Sequence, residues 1–130
     1  MGPHPELAEL SAADLSRLLA RGEVTSVELV EMSLARIAAL DEKTRAVIEI
    51  NPDAVELARR SDRERRRGRV RGVLHGLPAL VKDNIDTGDR MLTTAGSLAM
   101  TGASASRDAP LVTNLRRAGA VLIGDRKSVV

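Results

Sequence analysis

GLPALVKDNID, residues Gly76 to Asp86, is the stretch of this 130-residue chain that most strongly indicates its fold. The apolar run ahead of Lys82 predicts a short β-strand, Gly76 to Lys82, that is buried on both faces, and Asp83 and Asn84 then turn the chain polar. An ammonium group at the end of a buried strand is costly unless it is paired with a charge or used in a reaction. Lys82 is therefore a candidate for chemistry.

Two interpretations of Lys82 compete. In the first, the lysine ends the strand at the surface and pairs with Asp83 or another carboxylate, as exposed lysines beside aspartates commonly do. In the second, the side chain is desolvated and its neutral amine accepts a proton, because burial disfavours the charged form of a lysine. Proteins seldom tolerate such a buried amine without a use for it. The position of Lys82 does not by itself decide between the two.

Blocks of sequence around Lys82 carry a resemblance to a known family. LHGLPALVKDNIDTGDRMLTTAGSLAM is followed by RDAPLVTNLRRAGAVLIG, which gives a G-L-P-x-L-V-K-D-N segment, then T-T-A-G-S, then D-A-x-x-V-x-x-L-R-x-A-G-A-V-x-x-G. From about Leu10 to Gly124, the chain resembles the front part of the amidase signature family of serine hydrolases. Lys82 stands where that family keeps its catalytic lysine.

The resemblance implies a mechanism that needs two serines besides the lysine. In the family, the neutral lysine accepts a proton from a serine held on a cis peptide bond, and that serine deprotonates a second serine, the nucleophile. The nucleophile attacks an amide carbonyl, ammonia leaves, and water releases the acyl group. Both serines belong to a glycine- and serine-rich segment beyond the A-G-A-V strand, which this sequence does not contain. We therefore expect an amidase of linear amides by family, and a 130-residue chain that is inactive by itself.

The fold implied by the resemblance is α/β. N-terminal helices precede the first strands and helices of the amidase-signature mixed sheet, which is incomplete, and residues 1–124 form the N-terminal part of one domain. Cap residues, glycines and apolar periodicity predict the other elements. In chain order these are helices starting at Ser11 and Thr25, a strand Ala46 to Ile50, a helix from Asn51 and Pro52 to Gly68, a helix capped by Asp108 and ending at Ala118, and a strand Ala120 to Ile123.

The last six residues, DRKSVV from Asp125 to Val130, break the match abruptly, because the family usually continues G-K-T-N from the position of Gly124. The codons GAT CGG AAG AGC GTC GTG, followed by a TAG stop, translate to DRKSVV and read as a common short-read sequencing adapter. We therefore expect residues 125–130 to be a non-native tail, in which Lys127 does not replace the lysine of G-K-T-N. The coding DNA tests this expectation, since any other codons would exclude it.

Composition excludes several classes of site. The chain is 43% hydrophobic and 29% charged, as in folded proteins, and it contains neither cysteine nor aromatic residues. His4 and His75 have no spaced partners for zinc, and His75 is predicted to be a loop residue rather than a ligand, so we predict no metal and no cofactor. Ser97, Ser104 and Ser106 lie outside any G-x-S-x-G turn and are predicted to be turn serines rather than nucleophiles. No apolar run suits a membrane span or a signal peptide, which predicts a cytoplasmic protein.

Three alternatives stay open from the sequence. NIDTGDRMLTTAGSLAM and VIEINPDAVELAR look closer to bacterial peptide-amidase-type amidases, which take a small-molecule or peptide amide, than to the A subunit of the tRNA-dependent amidotransferase. The basic segment Arg59 to Arg71 supports a nucleic-acid-binding module, but Asp62 and Glu64 interrupt it, the net charge is only +2, and no aromatic side chain can stack on a base. A solvated helix face is the favoured interpretation of this segment. A truncated protein that acts only as an interaction partner is the third alternative.

Overall fold

The computed structural model of the chain describes residues 5–82, 85–91 and 106–126. Within those ranges it contains helices and strands in an α/β arrangement, which confirms the predicted fold class. In chain order the elements are a 3-10 helix Pro5–Glu9, α1 Ala12–Ala20, α2 Ser26–Thr44, β1 Val47–Ile50, α3 Ala54–Arg66, β2 Pro78–Lys82, α4 Pro110–Arg117 and β3 Val121–Arg126.

The first two α-helices begin where their cap residues predicted. The Ser11 hydroxyl accepts a hydrogen bond from the Asp14 amide at 3.1 Å, and the Thr25 hydroxyl accepts one from the Glu28 amide at 3.1 Å. Each bond satisfies one of the backbone N–H groups that have no partner inside the helix. After α1, Gly22 adopts a φ of 72°, a left-handed conformation that ends the helix at little steric cost.

The three strands form a mixed sheet in the order β1-β3-β2. The central strand β3 pairs with β1 in antiparallel fashion and with β2 in parallel fashion. β3 continues to Arg126, three residues beyond the predicted end at Ile123, because its backbone stays paired with both neighbours. β2 was predicted to be buried on both faces, which is wrong for Leu80. That side chain is 39% exposed because it lines an open cavity beside β2.

Aliphatic side chains cover both faces of this sheet. On one face, α2 and α3 pack against β3. On the other face, α4 and residues 85–91 pack against β2 and β3. The first cluster consists of Val30, Ala54, Ala58, Val121 and Ile123. The second consists of Val81, Met91, Val112 and Leu122. Because Val81 precedes Lys82 directly, this second core holds the end of β2 in place.

Asp62 of α3 joins the helical layer together. Its carboxylate accepts hydrogen bonds from the backbone amides of Ser26 at 2.8 Å and Val27 at 3.1 Å, at the start of α2. A carboxylate at a helix N-terminus satisfies donors without intrahelical partners and complements the helix dipole. The Ser26 hydroxyl in turn donates to the carbonyl of Gly76 at 2.7 Å. The two helices are thereby attached to the chain just before β2.

Candidate active site

Lys82 is the last residue of β2 and is half-buried. It pairs in register with Arg126 of the parallel strand β3, so the carboxyl ends of both strands lie at the same edge of the sheet. In α/β proteins that edge is where ligands bind. The prediction that Lys82 ends a strand is confirmed, although the strand begins at Pro78 rather than Gly76. Asp83 and Asn84 lie outside the described residues.

Residues 72–77, the approach segment, lead into β2 through close backbone contacts. The amide of Leu74 donates to the carbonyl of Ala118 at 3.2 Å, and the amide of Gly76 donates to the carbonyl of Gly119 at 2.9 Å. Gly119 has a φ of 96°, and a Cβ at this position would lie 2.5 Å from the Cα of His75. Only glycine fits such a conformation at such a distance, so the two backbones meet directly.

His75 lies within the approach segment and is 2% exposed. Its Nδ1 accepts a hydrogen bond from the Arg71 amide at 3.1 Å, and its Nε2 lies 2.8 Å from the carbonyl oxygen of Ser61. Because Nδ1 accepts, Nε2 carries the proton and donates to Ser61, which assigns a neutral imidazole. The prediction that His75 is a loop residue is confirmed. Its buried bonding between α3 and the approach segment was not predicted.

Two arginines add charged contacts between α3 and the chain at or just before the approach segment. Arg71 donates to the Glu64 carboxylate from Nη2 at 2.8 Å and from Nε at 3.0 Å, and Arg65 donates to the carbonyl of His75 at 3.0 Å. The hydrogen bond from Arg71 is the main cause that lowers the pKa of Glu64, and Arg60 adds to it, while partial burial opposes the shift. Glu64 is therefore held as a carboxylate.

Residues 85–91, the exit segment, follow Lys82 and are held mainly by polar contacts. The amide of Ile85 donates to the carbonyl of Lys82 at 3.0 Å, and the carbonyl of Asp86 accepts from the amide of Ala109 at 2.9 Å. At the far end of the segment, Met91 is fully buried in the core cluster that contains Val81. The exit segment is thus attached near both of its ends.

Arg116 of α4 contacts two carboxylates beside the exit segment. Its Nε donates to Asp108 at 2.9 Å and its Nη2 donates to Asp89 at 2.6 Å. Asp108 also accepts from the amide of Gly88 at 2.7 Å. Arg90, in the same segment, donates to the Asp53 carboxylate at 2.7 and 3.0 Å. Ion pairs therefore bind this segment to α4 on one side and to the start of α3 on the other.

The prediction that Asp108 caps α4 is wrong. The cap position is Ala109, which offers no side-chain bond, and the helix begins with Pro110. Asp108 stands one residue too early, and its carboxylate is taken by Gly88 and Arg116 instead. A proline at the first helical position has no N–H to satisfy, so α4 needs one cap bond fewer than most helices.

The structure describes only some of the other residues singled out from the sequence. Ser106 is exposed in a bend. His4, Ser97, Ser104 and Lys127 lie outside the described residues. Among the described ranges, no group of three His, Cys, Asp or Glu side chains is arranged to hold a metal ion. No helix in those ranges has the length and apolarity required to cross a bilayer.

An open apolar cavity of about 370 Å³ lies beside β2, on the face covered by α2. Leu80 and Ile123 contribute to its floor, and Met32 and Ile37 contribute from α2. Lys82 is not among its lining residues. This cavity is therefore separate from the end of the strand where the lysine lies.

Comparison with known proteins identifies the family to which this geometry belongs. Residues 28–127 match the family model described as Amidase. The chain is 43% identical over 141 residues to a putative amidase of Arthroderma benhamiae, and 42% identical over 120 residues to the A subunit of the glutamyl-tRNA(Gln) amidotransferase of Chloroflexus aurantiacus. Each alignment covers 92% of this chain and 24% of the relative, so the chain spans about a quarter of the length of the curated relatives that it matches.

The fold also matches a solved structure closely. Native peptide amidase from Stenotrophomonas maltophilia superposes with a TM-score of 0.89 and is 51% identical in sequence. That match covers 95% of this chain and 26% of the peptide amidase. The described strands and helices therefore have the arrangement found in the corresponding quarter of that protein.

Proposed function

The chain belongs to the amidase family, and we propose that it is the amino-terminal part of an enzyme that hydrolyses a carbon–nitrogen amide bond and releases ammonia. The observation that carries the proposal is the placement of Lys82, within G-L-P-x-L-V-K-D-N, at the carboxyl end of β2 beside the parallel strand β3. A half-buried lysine at that edge can act on a substrate bound above the sheet.

In the proposed reaction, Lys82 is the base. Its neutral amine accepts a proton from a bridging serine, which deprotonates the serine that attacks the amide carbonyl. Neither serine is among the 130 residues, so the chain supplies one of the three groups in the relay. A single member of such a relay does not support the covalent route. We therefore propose that the chain alone has no amidase activity.

A peptide or another linear carboxamide is the proposed substrate. The 51% identity with the peptide amidase of Stenotrophomonas maltophilia supports this class over glutamine-dependent amidation of a charged tRNA, since the amidotransferase subunit of Chloroflexus aurantiacus is 42% identical. The second candidate is that amidotransferase subunit, which would pass the ammonia of glutamine to a charged tRNA with partner subunits.

The test uses the full-length parent protein, in which residues 1–124 continue into the rest of the enzyme. Ammonia release from a peptide amide is measured for the parent, for Lys82→Met and for Lys43→Met. Methionine keeps the length of the side chain without a basic group, so we expect Lys82→Met to lower kcat/KM by at least about 100-fold. Lys43 is exposed in the last turn of α2 and provides the matched control, with unchanged activity.

Three outcomes separate the alternatives. Ammonia release that persists in Lys82→Met contradicts the proposed role of the lysine. Release that requires glutamine, tRNA and partner subunits favours the amidotransferase. Turnover by the purified 130-residue chain contradicts its proposed inactivity.

The basic helix gives limited support to a nucleic-acid-binding module. Glu56 lies within 3.4 Å of Arg59 and Arg63, and Glu64 lies within 3.0 Å of Arg60 and Arg71. These pairs neutralise part of the positive charge that phosphates would have to meet. A salt-sensitive RNA complex that is lost in the triple variant R65A/R66A/R67A would revive this alternative.

These experiments do not test two further predictions, the non-native tail and the cellular location. Residues 125–130 stay a predicted non-native tail. β3 includes Asp125 and Arg126, but strand pairing uses backbone groups that every sequence supplies, so the coding DNA is the test. Cytoplasmic location also stays a prediction.

A further inference from the structure

Arg116 links two carboxylates that come from separate parts of the chain. Asp89 belongs to the exit segment and Asp108 precedes α4, and Arg116 donates to both. The three side chains are only 26%, 15% and 22% exposed, for Arg116, Asp89 and Asp108 respectively. Ion pairs that are this far withdrawn from water are screened less than surface pairs, and the planar guanidinium fixes the direction of each bond.

Each carboxylate also holds a backbone amide of the exit segment. Asp108 accepts from the amide of Gly88 at 2.7 Å, and Asp89 accepts from the amide of Met91 at 2.9 Å. Arg116 therefore orients both acceptors that fold the segment. Without the arginine, two nearby carboxylates would repel each other and turn toward water, and both amide bonds would weaken.

The exit segment has little room to move when it is held in this way. A Cβ at Gly88 would lie 2.9 Å from the Cα of Arg107, so the segment lies directly against the chain before α4. Met91 is fully buried beside Val81. The amide of Ile85 donates to the carbonyl of Lys82 itself. The position of the exit segment therefore affects the position of Lys82, the last residue of β2.

From these contacts we propose that Arg116 is a positioning residue for Lys82. By holding the exit segment against α4, it fixes the Ile85 amide that bonds to the carbonyl of Lys82, and with it the place of the lysine at the edge of the sheet. The inference rests on the proposed function of Lys82. A shift of about 1 Å in a reacting group can lower a rate by about 100-fold, so a remote anchor of this kind affects turnover.

The test compares Arg116→Gln, Arg116→Lys and Arg117→Gln in the full-length parent. Arg117 is the next residue of the same helix and is exposed, so Arg117→Gln serves as the matched control. We expect Arg116→Gln to lower kcat by about 10- to 100-fold while KM changes by less than about threefold, because orientation rather than binding is lost. Arg116→Lys keeps the charge and reaches one carboxylate, so its kcat is expected to lie between those of the wild type and Arg116→Gln.

Hydrogen exchange gives a second readout that does not depend on activity. In Arg116→Gln, the amides of Gly88 and Met91 are expected to exchange at least about tenfold faster, while those of β3 keep their protection. If Arg116→Gln does not fold, Asp89→Asn takes its place, because it removes one ion pair and leaves Arg116 and Asp108 in contact.

Each alternative result is decisive. Wild-type kcat in Arg116→Gln overturns the proposal, as does unchanged exchange at Gly88 and Met91. A uniform loss of protection across all strands also overturns it, since it assigns Arg116 to general stability. An inactive wild-type parent instead overturns the proposed function, and the exchange comparison then still decides whether Arg116 orders the segment.

Discussion

The chain enters β2 and leaves it by different physical means. The approach segment is held mainly by buried backbone bonds, a neutral imidazole and a direct backbone contact with Gly119, with the contacts of Arg65 and Arg71 beside them. The exit segment is held mainly by arginine–aspartate pairs, with Met91 as its apolar anchor. Bonds of the first kind are insensitive to salt and fail only when the packing is broken. The arginine–aspartate pairs can be weakened one at a time, without loss of the apolar packing. Such local adjustment suits the end of a strand where a substrate would bind.

Gly119→Ala is expected to have the largest effect on the contacts that hold the approach segment. The new Cβ would lie 2.5 Å from the Cα of His75, and φ of 96° is strained for alanine. We expect the free energy of unfolding to fall by about 3 kcal/mol or more, because neither backbone can move without losing buried bonds. Urea unfolding followed by far-UV circular dichroism measures the change, since the chain has no aromatic reporter.

Gly22→Ala is the matched control for that variant. Gly22 also has a positive φ, of 72°, but nothing lies within 4 Å of the position of its Cβ. Its cost should be limited to backbone strain, about 1 kcal/mol. Equal costs for the two variants would show that contact with His75 is not what requires glycine at position 119.

His75→Leu tests the imidazole separately from the packing. Leucine fills a similar volume, but the carbonyl of Ser61 and the amide of Arg71 lose their buried partner. We expect a loss of about 2 kcal/mol in the free energy of unfolding, in the range for unsatisfied buried polar groups. A loss below about 0.5 kcal/mol would indicate that water replaces both bonds.

Salt should affect amide exchange in the exit segment more than in the approach segment. Raising the ionic strength from about 0.05 M to 1 M shortens the Debye length several-fold and screens the pairs of Arg116 and Arg90. We expect the amides of Gly88 and Met91 to exchange about two- to fivefold faster, and that of Gly76 to keep its rate. Equal responses at these amides would remove the contrast.

The smallest expected effect is the pH dependence from Glu64. The Arg71 side chain lowers the pKa of Glu64 below its ordinary value of 4.5. A carboxyl whose pKa is lower in the folded state adds stability above pH 4.5, and this contribution is lost as the pH falls through the lowered pKa. Glu64→Gln should therefore cost about 0.5 to 1 kcal/mol at pH 7 and progressively less as the pH falls below 4.5, as measured by urea unfolding. Arg71→Gln should show the same pH profile, and a flat difference would contradict the pairing.

The sequence predicted features that depend on residues close together along the chain. It missed contacts between residues that are far apart along the chain. The starts of α1 and α2 follow from cap bonds that span three residues. His75 and Ser61 lie 14 residues apart, and Arg116 and Asp89 lie 27 apart, so no local pattern joins either pair. Asp108 was wrongly predicted as a cap for the same reason, since Gly88, 20 residues away, takes its carboxylate. The D-A-x-x-V-x-x-L-R-x-A-G-A block contained Arg116, but a pattern of letters does not tell which side chains it contacts.

The order of the strands has a consequence for biosynthesis. β3 comes last in the described chain and lies in the middle of the sheet, between β1 and β2. When a ribosome has released β1 and β2, neither yet has its neighbour from the described sheet, and their edges are open to other chains. Pairing within the described sheet must wait for residues beyond Gly119, so we expect the nascent polypeptide to be most prone to aggregation, and most in need of a chaperone, between the release of β2 and that of β3.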